Sequence, residues 1–282
     1  MINGKQILKA FIPPIVFSII RKLKKPIEQP FYGWAGDYAT WGEAKANCTG
    51  YDTANILETC KNSLLKVKTG EAVYERDSVL FNEIQYSWGL LAGLEKAALE
   101  NNGNLCVLDF GGSLGSTYYQ NKEFLSSIKN LTWCIVEQAH FVDCGKQNFE
   151  NKQLKFYHTI EACMTQHKPN VLLLSSVLQY LEKPEEWIDK LTALKIDNII
   201  IDRTTIVDCE KNIITIQKVP STIYNASYPC WFFNENKFEK LFKEYLLVAK
   251  FESFCDPSKL LNNKYQAVWR GYQLKFKQKA DT

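Results

Sequence analysis

The chain has no C-x-x-C pair, no internal repeat and no low-complexity tract. Its nine cysteines are odd in number and scattered, so neither a disulfide framework nor a zinc knuckle of paired spacings is expected. They read instead as small buried apolar residues of a protein kept in a reducing, cytoplasmic compartment, and no metal is expected. Without repeats or biased tracts, solenoids and disordered scaffolds are excluded. Histidine is scarce too, with His140, His158 and His167 the only three. What remains is an ordinary globular composition of 282 residues, 46% hydrophobic and 23% charged, enough for one elaborated domain with a large core.

The net charge of +3 is unevenly placed. Residues 1–30 hold Lys5, Lys9, Arg21, Lys22, Lys24 and Lys25 against Glu28 alone, so that end carries about +5 and the rest about −2. A basic patch confined to one terminus does not describe a nucleic-acid-binding core. The segment Ile7–Lys25 is apolar and then cationic. It is too short to span a bilayer, is broken by Pro13-Pro14, and lacks the small residues of a signal cleavage site. It suits peripheral contact with an anionic membrane surface, at the inner face of the cytoplasmic membrane, or a helix packed on the protein's own core. An aromatic stretch, Phe31 to Asp52, comes next. It offers Tyr38 as a substrate-binding candidate, or serves as packing where an arm crosses the core. Helical spacing of Val73, Leu80, Ile84, Trp88, Leu91 and Leu94 predicts a helix over 71–99, ended by Asn101-Asn102-Gly103.

From Asn104 onward strand and helix alternate. Continuous apolar runs predict strands at 105–110, 131–138, 154–158, 170–176 and 198–203, with helices at 116–129, 140–150, 159–166 and 182–194. A helix at 234–244 leads to a predicted antiparallel hairpin, 245–254 with 269–277. The expected fold class is α/β: a Rossmann-like, mostly parallel sheet with an antiparallel C-terminal hairpin, plus a helical N-terminal extension. The expected organisation is a basic apolar arm at 1–30, an aromatic arm and helical cap at 31–103, and the Rossmann-like domain at 104–282.

The first strand of that domain runs into Asp109-Phe110-Gly111-Gly112-Ser113-Leu114-Gly115. The spacing is neither G-x-x-x-x-G-K-[ST] nor G-x-G-x-x-G, so phosphate-cradling and dinucleotide loops both fit poorly. Asp109 would repel a pyrophosphate, whereas it would pair with an ammonium group. The methionine moiety of S-adenosylmethionine carries one. The next strand ends at Glu137, an acid able to accept both hydroxyls of a ribose.

Together, D-F-G-G-S-L-G, V-E-Q and the segment S-S-V-L-Q-Y-L (Ser175–Leu181) resemble the class I S-adenosylmethionine-dependent methyltransferases, with Ser113 where glycine is usual and Tyr180 where His is usual. The set YGWAGDYATW, AVYERDSVLF, LDFGGSLGSTYYQN, VEQAHFV, LLSSVLQYLEKP, IIIDRT and YPCWFF also resembles one bacterial family classed as methyltransferases and encoded among genes for O-antigen, capsule and other surface glycans. That resemblance implies S-adenosyl-L-methionine as cofactor and O-methylation of a sugar, sugar-nucleotide or lipid-linked glycan acceptor in polysaccharide biosynthesis. The cofactor-binding candidates are Asp109, Phe110, Gly111, Gly112, Ser113, Gly115, Glu137, Gln138, Ser175 and Ser176. For catalysis the candidates are His140 as base, Tyr180 beside the methyl position and Arg203 as an anion clamp. Arg203, Tyr228 and Trp231, the last two read as a loop, join Tyr38 as acceptor contacts. Two other readings stay open: an oxidoreductase or epimerase using NAD(P), and a catalytically silent cofactor-binding module of a glycan assembly complex.

Overall fold

The computed structural model of the chain describes residues 32–49, 53–255 and 257–277. The basic segment 7–25, and with it the expected membrane contact, lies outside the described residues. No helix among the described residues is long and apolar enough to cross a membrane.

Five parallel strands form the centre: β4 (Asn104–Phe110), β5 (Asn130–Val136), β6 (Leu154–Tyr157), β7 (Val171–Ser175) and β8 (Asn198–Val207). Their order is β6-β5-β4-β7-β8. The chain thus steps outward from β4 to β6, then returns to place β7 on the other side of β4. That reversal leaves a crevice at the carboxyl ends of β4 and β7. Beyond β8 lie β13 (Tyr265–Phe276), antiparallel to it, and β11 (Tyr245–Glu252), antiparallel to β13. The sequence-predicted parallel strands and closing hairpin are therefore present, their boundaries shifted by a few residues. The strands read as continuous apolar runs because both faces are covered: Leu105, Val107 and Ile135 face one core, Leu108, Leu172 and Leu174 the other.

Helices α4 (Ser116–Asn121), α5 (Ala139–Asn148), α6 (Ile160–Gln166) and α7 (Pro184–Thr192) fill the crossovers. Before them, α1 (Trp41–Ala46) and α2 (Thr53–Thr69) precede α3 (Trp88–Glu100). The last buries Leu90, Leu91, Leu94, Ala97 and Ala98 on one stripe. As expected, α3 ends where Asn102 and Gly103 turn left-handed, the Gly103 amide donating to Ala98 O at 2.9 Å.

The predicted helix does not extend back to residue 71. Tyr74–Arg76 (β2) and Val79–Phe81 (β3) form a two-stranded hairpin. Asp77 and Ser78, at φ 51° and 68°, occupy its turn with the left-handed pair that matches hairpin twist. Three of the apolar positions that suggested a helix, Val73, Leu80 and Trp88, are 53%, 40% and 61% exposed, so that periodicity marks a buried face only at Leu91 and Leu94, within α3.

A second correction concerns residues after 203. β8 does not stop there but bends at Arg203, whose φ is 53°, and continues to Val207. Past the end of β7 its tip pairs in parallel with β10 (Ser227–Asn234) through Ile206 and Val207. β10 pairs antiparallel with β9 (Ile213–Lys218), and β9 with β1 (Gly33–Tyr38). Residues 227–234, read from sequence as an aromatic loop, are thus a strand, and the aromatic arm contributes one as well. A short β12 (Lys259–Leu261) joins β13, and α8 (Glu235–Glu239) follows β10.

Candidate functional site

Two cavities, of about 1130 Å³ and 410 Å³, open at the crevice. Gly111, Glu137, Gln138, Ser176, Tyr180 and Tyr228 line both, so together they make one cleft with a larger and a smaller arm. The larger arm runs over β5 and β6, past Phe110, His158, Thr159 and Ile160. The smaller lies over β4, β7 and β8. It is walled by Asp109, Gly112, Ser113, Glu75, Asp77, Ser175, Asp202, Arg203 and Gln217.

The loop after β4 is shaped by close approaches. A Cβ on Gly111, at φ 73°, would come within 2.5 Å of Val177 Cγ2, and one on Gly112 within 2.5 Å of the Asp109 carboxyl. Ser113 also takes a left-handed φ, 53°, where a glycine is usual. Gly115 lines neither cavity. It sits at φ 105° ahead of α4 and packs toward Leu154 and Ile135.

Asp109 lines the smaller cavity while staying almost wholly buried. It is 1% exposed, folded beneath Gly112, with Oδ2 accepting from Trp133 Nε1 at 2.9 Å. Its Oδ1 is buried without a hydrogen-bond partner. Burial, against the Trp133 hydrogen bond and reinforced by the charge of Glu137, pushes its pKa up to about 7. Trp133→Phe removes the one donor on this buried acid. It is expected to lower stability by about 1–3 kcal/mol, read from the denaturation midpoint.

Glu137 reaches the rim from the carboxyl end of β5, where its Oε2 accepts from the Gln138 amide at 2.6 Å. Burial raises its pKa. Two acids therefore stand at the ends of adjacent strands, one below the glycine loop and one beside it.

Sequence reasoning missed a third acid, Glu75. It is 3% exposed and accepts from the Ser78 amide at 3.1 Å and from the Ser116 hydroxyl at the start of α4. Burial and the neighbouring Asp77 carboxylate push its pKa up to about 7, while Ser116 opposes the shift. The available signal was Tyr-Glu-Arg-Asp-Ser-Val-Leu-Phe, two short strands about an Asp-Ser turn, masked by accidental helical spacing. The same turn brings Asp77 to the cavity wall.

Arg203 is not an open anion clamp. Its guanidinium forks onto Asp77, Nη2–Oδ2 at 2.5 Å and Nη1–Oδ1 at 3.4 Å. That pair ties the bend of β8 to the hairpin. Tyr180, in a single 3₁₀ turn (Leu178–Tyr180), donates to Gln217 Oε1 at 2.8 Å and stands edge-on to Tyr228 at 5.3 Å. Gln179 lies below it and donates to the Arg203 carbonyl at 3.1 Å.

The structure does not bring His140, Tyr38 or Trp231 to the walls of either cavity. The His140 ring leans on Phe141 at 5.0 Å, with Nε2 buried and unpartnered. Trp231 stacks on Trp41 at 6.0 Å and donates to Leu181 O at 3.1 Å, and Tyr38 packs in the same apolar cluster. Tyr38 and Trp231 lie on strands of the β1-β9-β10 layer, half-buried against the cluster of Ala44, Ile214 and Ile216.

A sheet ordered β6-β5-β4-β7-β8-β13-β11, with β13 the reversed strand, has the Rossmann-like architecture of class I methyltransferases. No protein-family model matches the chain, and no curated protein matches it by sequence. Among solved structures, the chain is similar to the N-terminal domain of EvdMO1 crystallised in the presence of SAH and D-fucose. The two are 9% identical, at a TM-score of 0.44, over 72% of this chain and 90% of that one. It is also similar to magnesium protoporphyrin IX methyltransferase from Synechocystis PCC 6803 with bound SAM, at 12% identity and a TM-score of 0.40, over 66% and 78% of the respective chains. A third is LepI in complex with SAM, at 12% identity and a TM-score of 0.43, over 65% of this chain; there the match spans less than half, 46%, of LepI.

Proposed function

We propose that the protein is an S-adenosylmethionine-dependent methyltransferase acting on a hydroxyl of a sugar or glycan intermediate. The observation that carries the cofactor reading is the pair Asp109 and Glu137, at the ends of adjacent strands around a loop that Asp109 itself crowds. The buried, unpartnered Oδ1 of Asp109 is an acceptor awaiting a donor, which suits an ammonium group. Glu137 suits a ribose diol, and the larger arm beyond it, past His158 and Ile160, suits an adenine. A pyrophosphate fits poorly, because Glu75 and Asp109 both lie against the loop that would have to cradle it. S-adenosylmethionine, when bound, supplies a sulfonium-activated methyl group.

The acceptor reading rests on the resemblance to the surface-glycan family and on the smaller arm. Its wall joins three carboxyl groups, Glu75, Asp77 and Asp202, to the phenol of Tyr180 and the amide of Gln217. Such a set can hold a polyol and remove a hydroxyl proton. A sugar nucleotide or a lipid-linked glycan would each present that polyol.

Titration calorimetry with S-adenosylhomocysteine and NAD tests the cofactor, and transfer of radiolabelled methyl to sugar nucleotides or lipid-linked glycans tests the acceptor. Tight NAD binding without S-adenosylhomocysteine binding would favour the oxidoreductase or epimerase reading. Cofactor binding without transfer to any glycan would favour a silent module.

The affinity for S-adenosylhomocysteine should also depend on pH. An ammonium binds ionised Asp109, so affinity is expected to rise up to about tenfold per pH unit below about pH 7 and then level off. The free protein behaves oppositely. Asp109 and Glu75 both have folded pKa values above their unfolded ones. Their contribution to stability is complete at low pH and is lost as pH rises through about 7. The melting temperature of the free protein should therefore fall between about pH 5 and pH 8. A flat affinity profile would remove Asp109 from the ligand's charge partners.

A further inference from the structure

Three thiols and an imidazole that take no part in the cleft meet between the central sheet and α6. Cys106 on β4 and Cys134 on β5 lie one diagonal step apart on adjacent parallel strands, Cys106 level with Thr132 and Cys134 with Leu108. Cys163 and His167 are four residues apart at the end of α6, and hence on one side of it. The donor atoms of Cys106, Cys134 and His167 all lie within 4.8 Å of one another. The Cys134 thiol also contacts that of Cys163. Cys134 and Cys163 are buried; Cys106 and His167 are half-buried, leaving a path for an ion.

The surroundings favour a ligand set over plain apolar packing. The Tyr157 hydroxyl meets His167 Nε2 at 2.7 Å, which fixes the ring and leaves Nδ1 as its second donor. An oriented imidazole with a partner on its outer nitrogen is the usual second layer of a metal site. The mutually close donors are Cys106, Cys134 and His167, three of the four ligands of a tetrahedral zinc site. The Cys163 thiol, which touches Cys134 but lies outside that group, adjoins them as the candidate fourth of a Cys₃His set. The Cys-x-x-x-His step supplies the paired spacing whose absence, in the form C-x-x-C, argued against a metal.

We propose that Cys106, Cys134, Cys163 and His167 form a structural site for a thiophilic divalent metal ion, zinc by its donor chemistry. Each ligating thiol gives up its proton to solvent and no electron is transferred. The ion clamps α6 to β4 and β5. The helix start carries Thr159, Ile160 and Glu161 on the wall of the larger cavity, so the clamp fixes that wall.

The test is titration of the full chain, reduced and stripped with a chelator, first with cobalt(II) and then with zinc. About one equivalent of cobalt is expected to give thiolate-to-cobalt charge-transfer absorption and the visible bands of a tetrahedral ion, both abolished by zinc. Zinc should raise the melting temperature by several degrees. Cys106→Ser and His167→Gln, at the half-buried positions, should each weaken binding on the order of 100-fold. Cys48→Ser and Cys255→Ser, outside the cluster, should bind as the unaltered chain does. A wild-type chain with no saturable cobalt bands overturns the proposal, as does a Cys106→Ser chain that keeps them. So does a Cys106–Cys134 disulfide in protein isolated without reductant that takes up no metal once reduced. Should a cluster variant fail to fold, the wild-type titration alone decides.

Discussion

Glu75→Gln is expected to lower turnover on the order of 10²–10⁴-fold while leaving S-adenosylhomocysteine affinity within about threefold of the unaltered protein. The carboxyl group lines the smaller cavity, 3% exposed, with a pKa pushed up to about 7 by burial and by Asp77. A base works best when its pKa lies near the working pH, and sugar hydroxyls are poor nucleophiles without one. Glutamine keeps the shape and can still accept from the Ser78 amide, but it cannot take a proton. Single-turnover rates and a pH–rate profile are the measurements. The unaltered enzyme should lose activity as pH falls through about 7, and the residual activity of the variant should not track that limb. A variant with full turnover would move the base to Asp202 or Asp77.

The second large effect is expected at Gly112. An alanine there places Cβ 2.5 Å from both Cγ and Oδ2 of Asp109. The carboxyl cannot swing away without giving up Trp133 Nε1 at a buried position. Overpacking of this kind costs about 1–3 kcal/mol. The loop must shift as well, so S-adenosylhomocysteine affinity is expected to drop at least about tenfold. Combination with Asp109→Ala isolates the clash as the cause. The double variant should be more stable than the sum of the single effects, because the atoms that clash are gone. Additive losses would show that Gly112 is needed for some other contact.

These two residues also mark where sequence reading succeeds and where it stops. That Asp109, Gly111, Gly112 and Glu137 lie at the crevice was legible because consecutive buried strands leave a long apolar signature, and the residues about each strand's carboxyl end are then candidates for its wall. Glu75 was not, since a hairpin of two three-residue strands has too little pattern to compete with a chance helical period. The layer β1-β9-β10 went unseen for a different reason. Its first strand pairs with residues about 180 positions later, and no local period reports such a partner. His140 looked promising because it comes soon after Glu137, yet α5 carries it away from the cavity walls. The convergence of Cys106, Cys134, Cys163 and His167 likewise exists only once the β4–β5 register and the α6 packing are known.

One strand, β8, forms part of the crevice with its first half and, past the bend at Arg203, carries β10 and β9 with its second. The wall that would face an acceptor is therefore continuous with the floor on which a cofactor would lie, and the Arg203–Asp77 fork braces the joint. A wall built this way belongs to the same compact unit as the floor and is not a separate lobe. An acceptor lying against it would meet a surface formed in advance of binding, and little ordering cost would fall on the encounter. Discrimination between acceptors then becomes a matter of which molecules fit a ready-made mould. It should change when single side chains on β9 and β10 are exchanged, with the cofactor half left as it is.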